Sequence, residues 1–504
     1  MLVTLHVILW TLILMVLKEA QDIHMDVAEG YAWGQKFELG YGKHPPLSGW
    51  IAGLWFLLFP AADWSTYALA MATVGCGLVI CWLIALRVVD RSRALFTVLT
   101  LALYPIFNFK GFKYNPDILQ LVTLPLVVLA YLNAFEKRSW QSGIWLGIAG
   151  ALALMTKYWT LTVIGAIGIA ALLHPHRMKF FLSPAPWIAL VAMIILMLPH
   201  VWWLREVDFA PLVYAGDVYA LASRSETLNP IASYLAHTIA LLALPIGLSA
   251  LALIDPRNPV TSMREALTSA ERGNRMNKAQ ALNIWVIQAA VALGPPLGAF
   301  AFVIYMKTDW GIPLFFLVPL VLVPFVNLKR LALFRLAAMW LVLTLLTLAA
   351  APSIVVYEVR SQQSNSAVMG SRSVLADRLT NEWHSRFSTR WAVVAATTEI
   401  GQHMAFYSVD HPAPYTPGET WSSGLASLEE AKRKGFIGVC DPSDPRVPTC
   451  RSWMASNAAT AERITITTHR SFSGIIGPTS IWEVYIVRPS SAADGPDRPA
   501  SSKG

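Results

Sequence analysis

Asp26 and Glu29 stand three residues apart in the segment DVAEGYAWG, directly after the first apolar run of the chain. In a helix they share one face. A carboxylate so placed can take a proton from a hydroxyl, and positioned general bases contribute roughly 10²–10⁴-fold to rate. Lys43 and His44 follow, just before Pro45 and Pro46 in KHPPLSGW. The prolines favour an extended or turn backbone and then permit a new helix start. A second charged stretch, FKGFKYNPD at 109–117, supplies Lys110, Lys113 and Asp117. Lys157 interrupts what would otherwise be about thirty apolar residues. Lysines in these places could stabilise charge developing on a departing phosphate. The combination suits a substrate carried on a lipid phosphate, entering sideways from a bilayer. A solvated interfacial helix at 26–50 and snorkelling lysines at helix ends are the plainer alternatives.

The elements that must hold these groups are membrane helices. The 504 residues are 55% hydrophobic and 14% charged, where a soluble chain carries roughly 25% charged residues. Apolar spans fall at 2–17, 64–86, 94–109, 117–135, 142–156, 158–173, 187–204, 231–254, 282–305, 312–327 and 336–351. The first has no basic segment before it and no small-residue cleavage site after it, so it is expected to be a membrane helix. The run 47–60 is short for a crossing and is expected to be interfacial or re-entrant.

With eleven spans and the N-terminus inside, the inner loops hold 15 Lys and Arg in 61 residues. The outer segments hold 9 in 86, and 11 Asp and Glu against 5 inside. That is the positive-inside bias. The net charge of +8 therefore reflects topology and gives no sign of nucleic-acid binding. It places 18–63, Lys113, Asp117 and Lys157 on the outer side. A transporter would put ionisable groups near the bilayer midplane, often between repeats; no repeat shows.

Three parts are expected. Residues 1–351 form a transmembrane domain that includes the first outer loop, 18–63. Residues 352–489 form a small outward α/β domain, with strands near 391–396, 435–439 and 481–487. Residues 490–504, rich in Ser, Pro and Ala, form a disordered tail. Cys440 and Cys450 flank DPSDPRVPT in that domain and suit a disulfide in an oxidising compartment. HExxH, CxxC, EF-hand, Walker A and GxGxxG patterns are absent from the sequence. Asp26, Glu29, His44 and Asp117 could gather round a divalent ion, which their spacing alone does not show.

DVAEGYAWG, KHPPLSGW, KYNPD and LALMTKYW, in that order, resemble bacterial membrane glycosyltransferases of the GT-C superfamily. More narrowly, they are similar to the protein-mannosyltransferase-like family 39, with its lipid A aminoarabinose transferase and its galacturonosyltransferases of the lipopolysaccharide core. The resemblance implies a mainly α, polytopic fold in the bacterial inner membrane, with the active site and C-terminal domain periplasmic. It implies inverting hexosyl or glycuronosyl transfer from a polyprenyl-phosphate sugar to a lipopolysaccharide or lipid A acceptor. Protein O-mannosylation, or transport of a lipid-linked sugar, is the alternative. The family's catalytic acid corresponds to Asp26, with Glu29 beside it. Many members have the two acids adjacent; here Val27 and Ala28 separate them, and the choice between them stays open. Lys43, His44, Lys113, Asp117 and Lys157 fall in the substrate-binding positions.

Overall fold

A computed structural model describes residues 1–267, 276–361, 369–419 and 425–490. The expected tail beyond 490 lies outside them. The chain is mostly helical and divides into two units. The first comprises 1–17, 43–51 and 64–353; the second comprises 18–42, 52–63 and the chain from 354 onward. The loop 18–63, expected to go with the spans, is thus shared, and most of it belongs to the second unit.

In the first unit, long apolar sequences become helices because lipid offers backbone groups no other partner. Among the described residues, six helices are long and apolar enough to cross a membrane. They are Asp63–Val88, Pro116–Lys137, Pro184–Glu206, Arg224–Leu253, Lys278–Phe302 and Arg330–Ser361. The pair Thr308–Leu314 and Val318–Phe325, bent by 55°, would make a seventh. The four other expected spans correspond to shorter helices, Leu2–Leu17, Arg91–Ala102, Trp140–Thr156 and Leu161–Leu173.

Two features of these helices fix the charged residues. Asn115 caps Pro116–Lys137, its side chain accepting from the Ile118 backbone N–H at 3.0 Å. Pro116 then occupies the first helical position, where no N–H is needed. Asp117 is therefore locked into the first turn. Trp140–Thr156 carries Gly143, Gly147 and Gly150 along one face. A Cβ on Gly143 would lie 2.5 Å from the Ala185 carbonyl, and one on Gly147 2.6 Å from that of Ala189. Small residues let two backbones approach this closely in lipid. Lys157 caps the C-terminal end of that helix in an extended conformation and starts the turn Tyr158–Thr160.

The second unit is α/β. Strands β1 (Val393–Ala395), β2 (Ala413–Tyr415), β3 (Phe436–Cys440), β4 (Glu462–Thr468) and β7 (Ser480–Val487) form one sheet in the order β2-β1-β3-β7-β4. Strands β5 (Ser471–Phe472) and β6 (Ile475–Ile476) pair separately. β1 runs parallel to β2 and β3, and β7 runs antiparallel to β3 and β4. One core contains Leu375, Leu379 and Trp383 of Arg372–Arg386 and Met404 of Thr398–Tyr407, with Trp391, Val394, Ile437 and Val484. The other contains Ala431, Cys450 and Met454 with Val393, Ala395, Phe436 and Tyr485. Cys450, on the helix Val447–Asn457, is bonded to Cys440 at the end of β3, with the Cα atoms 5.8 Å apart.

The loop segment joins this unit by burial and by polar contacts. Ile23, Val27, Ala28 and Tyr31 share a core with Phe406. The buried Asp22 carboxylate accepts from the Arg372 backbone N–H at 2.8 Å, Ser373 Oγ at 2.6 Å and Arg470 Nη1 at 2.8 Å. Ala20 O accepts from the Met369 N–H at 3.0 Å.

Candidate active site

Two groups of the expected residues are built, one in each unit. In the first unit, Lys157 Nζ donates to Asp117 Oδ1 at 2.5 Å. Lys157 is buried, 8% exposed, and its ammonium lies 5.7 Å from the centre of the Trp310 ring. A cation over an indole gains electrostatic attraction, more so when desolvated. Trp310 packs between Trp159, at 4.8 Å, and Tyr219, at 4.9 Å between ring centres. Lys307 lies over the Tyr219 ring at 5.2 Å. Burial raises the pKa of Tyr219 and Tyr214, and the positive charge of Lys43 opposes the shift at both. Asp117 pushes Tyr219 further up. Both phenols therefore keep their protons at neutral pH, and Lys43 and Asp117 act on the same ring.

A neighbouring cluster holds Asp309. It lies 3.9 Å from Lys110 Nζ and 3.5 Å from His237 Nε2. Lys307 and Asp309, adjacent enough to pair with each other, instead engage Tyr219 and the Lys110–His237 pair. His200 is buried, with its Nε2 3.0 Å from Tyr158 Oη and its ring stacked on Trp203.

The acids of the first loop belong to the second unit. His24 caps the helix Met25–Gly34, its Nδ1 accepting from the Asp26 backbone N–H at 3.1 Å. Asp26 is in the first turn, where the helix dipole favours an anion. Its carboxylate is 27% exposed and lies 3.7 Å from His24 Nδ1. Glu29, one turn on, is buried at 4% exposure and accepts from Gln402 Nε2 at 3.3 Å. The accessible acid and the enclosed acid thus have different surroundings on one helix face.

His44 and Lys113 belong to the first unit with Lys43, Asp117 and Lys157. No sequence pattern marks Trp310, Tyr219 or Gln402. Trp310 lies beside Lys307 and Asp309 in YMKTDWG. Among the described residues, no three His, Cys, Asp or Glu side chains are arranged to hold a metal ion.

Residues 43–203 match the family described as dolichyl-phosphate-mannose-protein mannosyltransferase. The lipid A galacturonosyltransferase RgtD of Rhizobium johnstonii is 25% identical over 230 residues, 43% of this chain and 46% of that one. The alignment thus spans about half the length of that relative. ArnT from Cupriavidus metallidurans, solved with undecaprenyl phosphate bound, superposes with a TM-score of 0.57 over 98% of this chain and 99% of its own, at 13% identity. Its apo structure gives 0.49 over 95% and 97%, also at 13% identity. The chain is thus similar in sequence to membrane glycosyltransferases over the matched residues, and it shares the fold of ArnT.

Proposed function

We propose that this chain transfers a sugar from a polyprenyl phosphate to an acceptor on the periplasmic side of the bacterial inner membrane, with lipid A or the lipopolysaccharide core as that acceptor. The eleven-span reading and the outward C-terminal unit belong to this proposal. The observation that carries it is the first-unit cluster: a buried lysine paired with Asp117, backed by Trp310 and sharing its surroundings with Lys43 and Lys307. Cations gathered beside a carboxylate and aromatic rings suit a phosphate that arrives on a lipid and leaves with more charge.

In the reaction, an acceptor hydroxyl attacks the anomeric carbon of the donor sugar. The new C–O bond forms as the bond to the phosphate oxygen breaks, and the bonding pair leaves on the polyprenyl phosphate. The hydroxyl proton passes to a carboxylate. Asp26, the more accessible acid, takes it; Glu29, held by Gln402, fixes the helix face. A single displacement of this kind inverts the anomeric centre. Lys43 and Lys157 stabilise the departing phosphate.

The test is mass spectrometry of lipopolysaccharide from a strain lacking the gene, paired with transfer by the purified protein from a defined polyprenyl-phosphate sugar. Loss of one hexose or uronic acid in the mutant and its restoration in vitro are expected. An unchanged glycan, with the sugar missing from a secreted protein instead, would replace this acceptor by a polypeptide.

A further inference from the structure

The second unit contains a cleft of about 540 Å³, lined by the first-loop segment, the turn before β2 and the helix Leu428–Lys434. Ligand sites commonly measure about 300–1,000 Å³. Its charged walls are Lys36, Arg390 and Lys434 on one side of the balance and Asp410 and Glu430 on the other, with His411 beside them. The acids are already engaged. Asp410 Oδ2 accepts from the Trp391 N–H at 2.8 Å and lies 2.8 Å from His384 Nε2. Glu430 accepts from Lys434 at 2.8 Å. Arg390 is anchored through Nε to the Asp410 carbonyl at 2.6 Å, and its terminal nitrogens make no hydrogen bond among the described residues. The charge of Lys36 also lowers the pKa of Glu430. With Lys434 paired to Glu430, Lys36 and Arg390 against Asp410 leave the cleft one net positive charge.

The remaining walls are alanine, proline and Leu425 side chains, an apolar surface beside these cations, with Gln35 and Thr389 as further polar groups. His411 holds a left-handed backbone, φ 45°, a conformation uncommon for a residue with a side chain. Its ring packs 5.5 Å from that of Tyr31. The C-terminal end of Met25–Gly34 adjoins the cleft and carries the wrong sign of helix dipole for an anion. Attraction must come from the side chains. At 1.5 Å per helical residue, Lys36 lies on the order of 15 Å along the segment from Asp26.

We propose that this cleft binds the anionic saccharide head of the acceptor, a sugar bearing phosphate or carboxylate, while its reacting hydroxyl reaches Asp26. The assignment rests on the transfer reaction above, and its test is made by binding rather than turnover. Full-length protein in detergent is titrated with glucose 6-phosphate and, in parallel, glucose, followed by ligand-observed NMR. Binding of the phosphosugar alone is expected, weakening with added salt. Lys36→Gln with Arg390→Gln should weaken it by about tenfold or more, as loss of charge-assisted bonds does. Lys36→Arg should retain it, which separates charge from misfolding.

Equal binding by the wild type and the double variant, or no preference over glucose, would overturn the assignment. So would a double variant that binds phosphosugar normally but loses affinity for phosphatidylglycerol vesicles, which would make the patch a lipid contact. Binding that behaves as expected in a protein without transferase activity would sink the transfer reaction and leave the cleft standing.

Discussion

At the scale of single residues, the two acids of the first loop can be told apart by surroundings that the sequence does not contain. Asp26→Asn preserves size and removes the basic carboxylate. Turnover should fall by about 10²-fold or more with donor binding little changed, read from steady-state kinetics with a defined donor. Glu29→Gln should act more mildly, through the hold on Gln402; a mild Asp26→Asn beside an inactive Glu29→Gln would exchange the two roles. Lys157→Ala should impair donor affinity and rate together, because it removes a cation and leaves Asp117 without its 2.5 Å partner. Trp310→Ala should do the same in weaker form, which a donor titration would show. Asp117 and Lys157 were legible because lone charges at the ends of apolar spans demand a reason. Their pairing was not, because forty residues separate them and only folding brings them together. Trp310 was illegible for a different reason: one tryptophan among twenty in a membrane protein carries little signal.

At the scale of elements, the apolar helices were readable from hydropathy, while their lengths were not. Four of them are short helices, since polar turns such as Lys157–Thr160 and prolines such as Pro105 end them early. The glycine face of Trp140–Thr156 went unread because its spacing has meaning only once Ala185 and Ala189 lie opposite. Gly147→Leu should separate the two helices, displacing Lys157 and lowering thermal stability; a change of this kind in a packed site costs about 1–3 kcal/mol. The helix Thr398–Tyr407 gives a pH prediction. His403 places Nε2 2.9 Å from the Ile23 carbonyl, and burial, aided by the charge of Arg372, holds its pKa below the ordinary 6.5. The unfolded chain would protonate there first. Stability is thus fully present above 6.5 and declines as pH falls from that value toward the lower folded pKa. Melting curves from about pH 7 to about pH 5 should show the loss, and His403→Gln should flatten it. A wild-type melting point that stays level across that range would remove His403 from the account.

At the scale of the molecule, an α/β unit after the spans was legible from a change in composition and from three strand-like runs, all of which became strands. Its claim on the first loop was not, because nothing in 18–42 looks unlike a loop belonging to its neighbouring helices. Reporter fusions should place residues 255–281 inside and the chain beyond 400 outside; an inside signal for the latter would overturn the outward active site. The Asp22 carboxylate has a consequence for how the protein is made. Its partners Arg372 and Arg470 follow it by 350 and 448 residues. At about 5–20 residues per second, the ribosome reaches Arg470 on the order of 20–90 s after Asp22. Until the chain beyond 353 is made, the segment with the proposed base lacks most of its unit. Chains stopped after residue 353 should therefore insert their helices yet be cut by added protease between 18 and 42, where full-length protein resists. The last part of the chain to be synthesised thus decides when the first-loop segment is held in place.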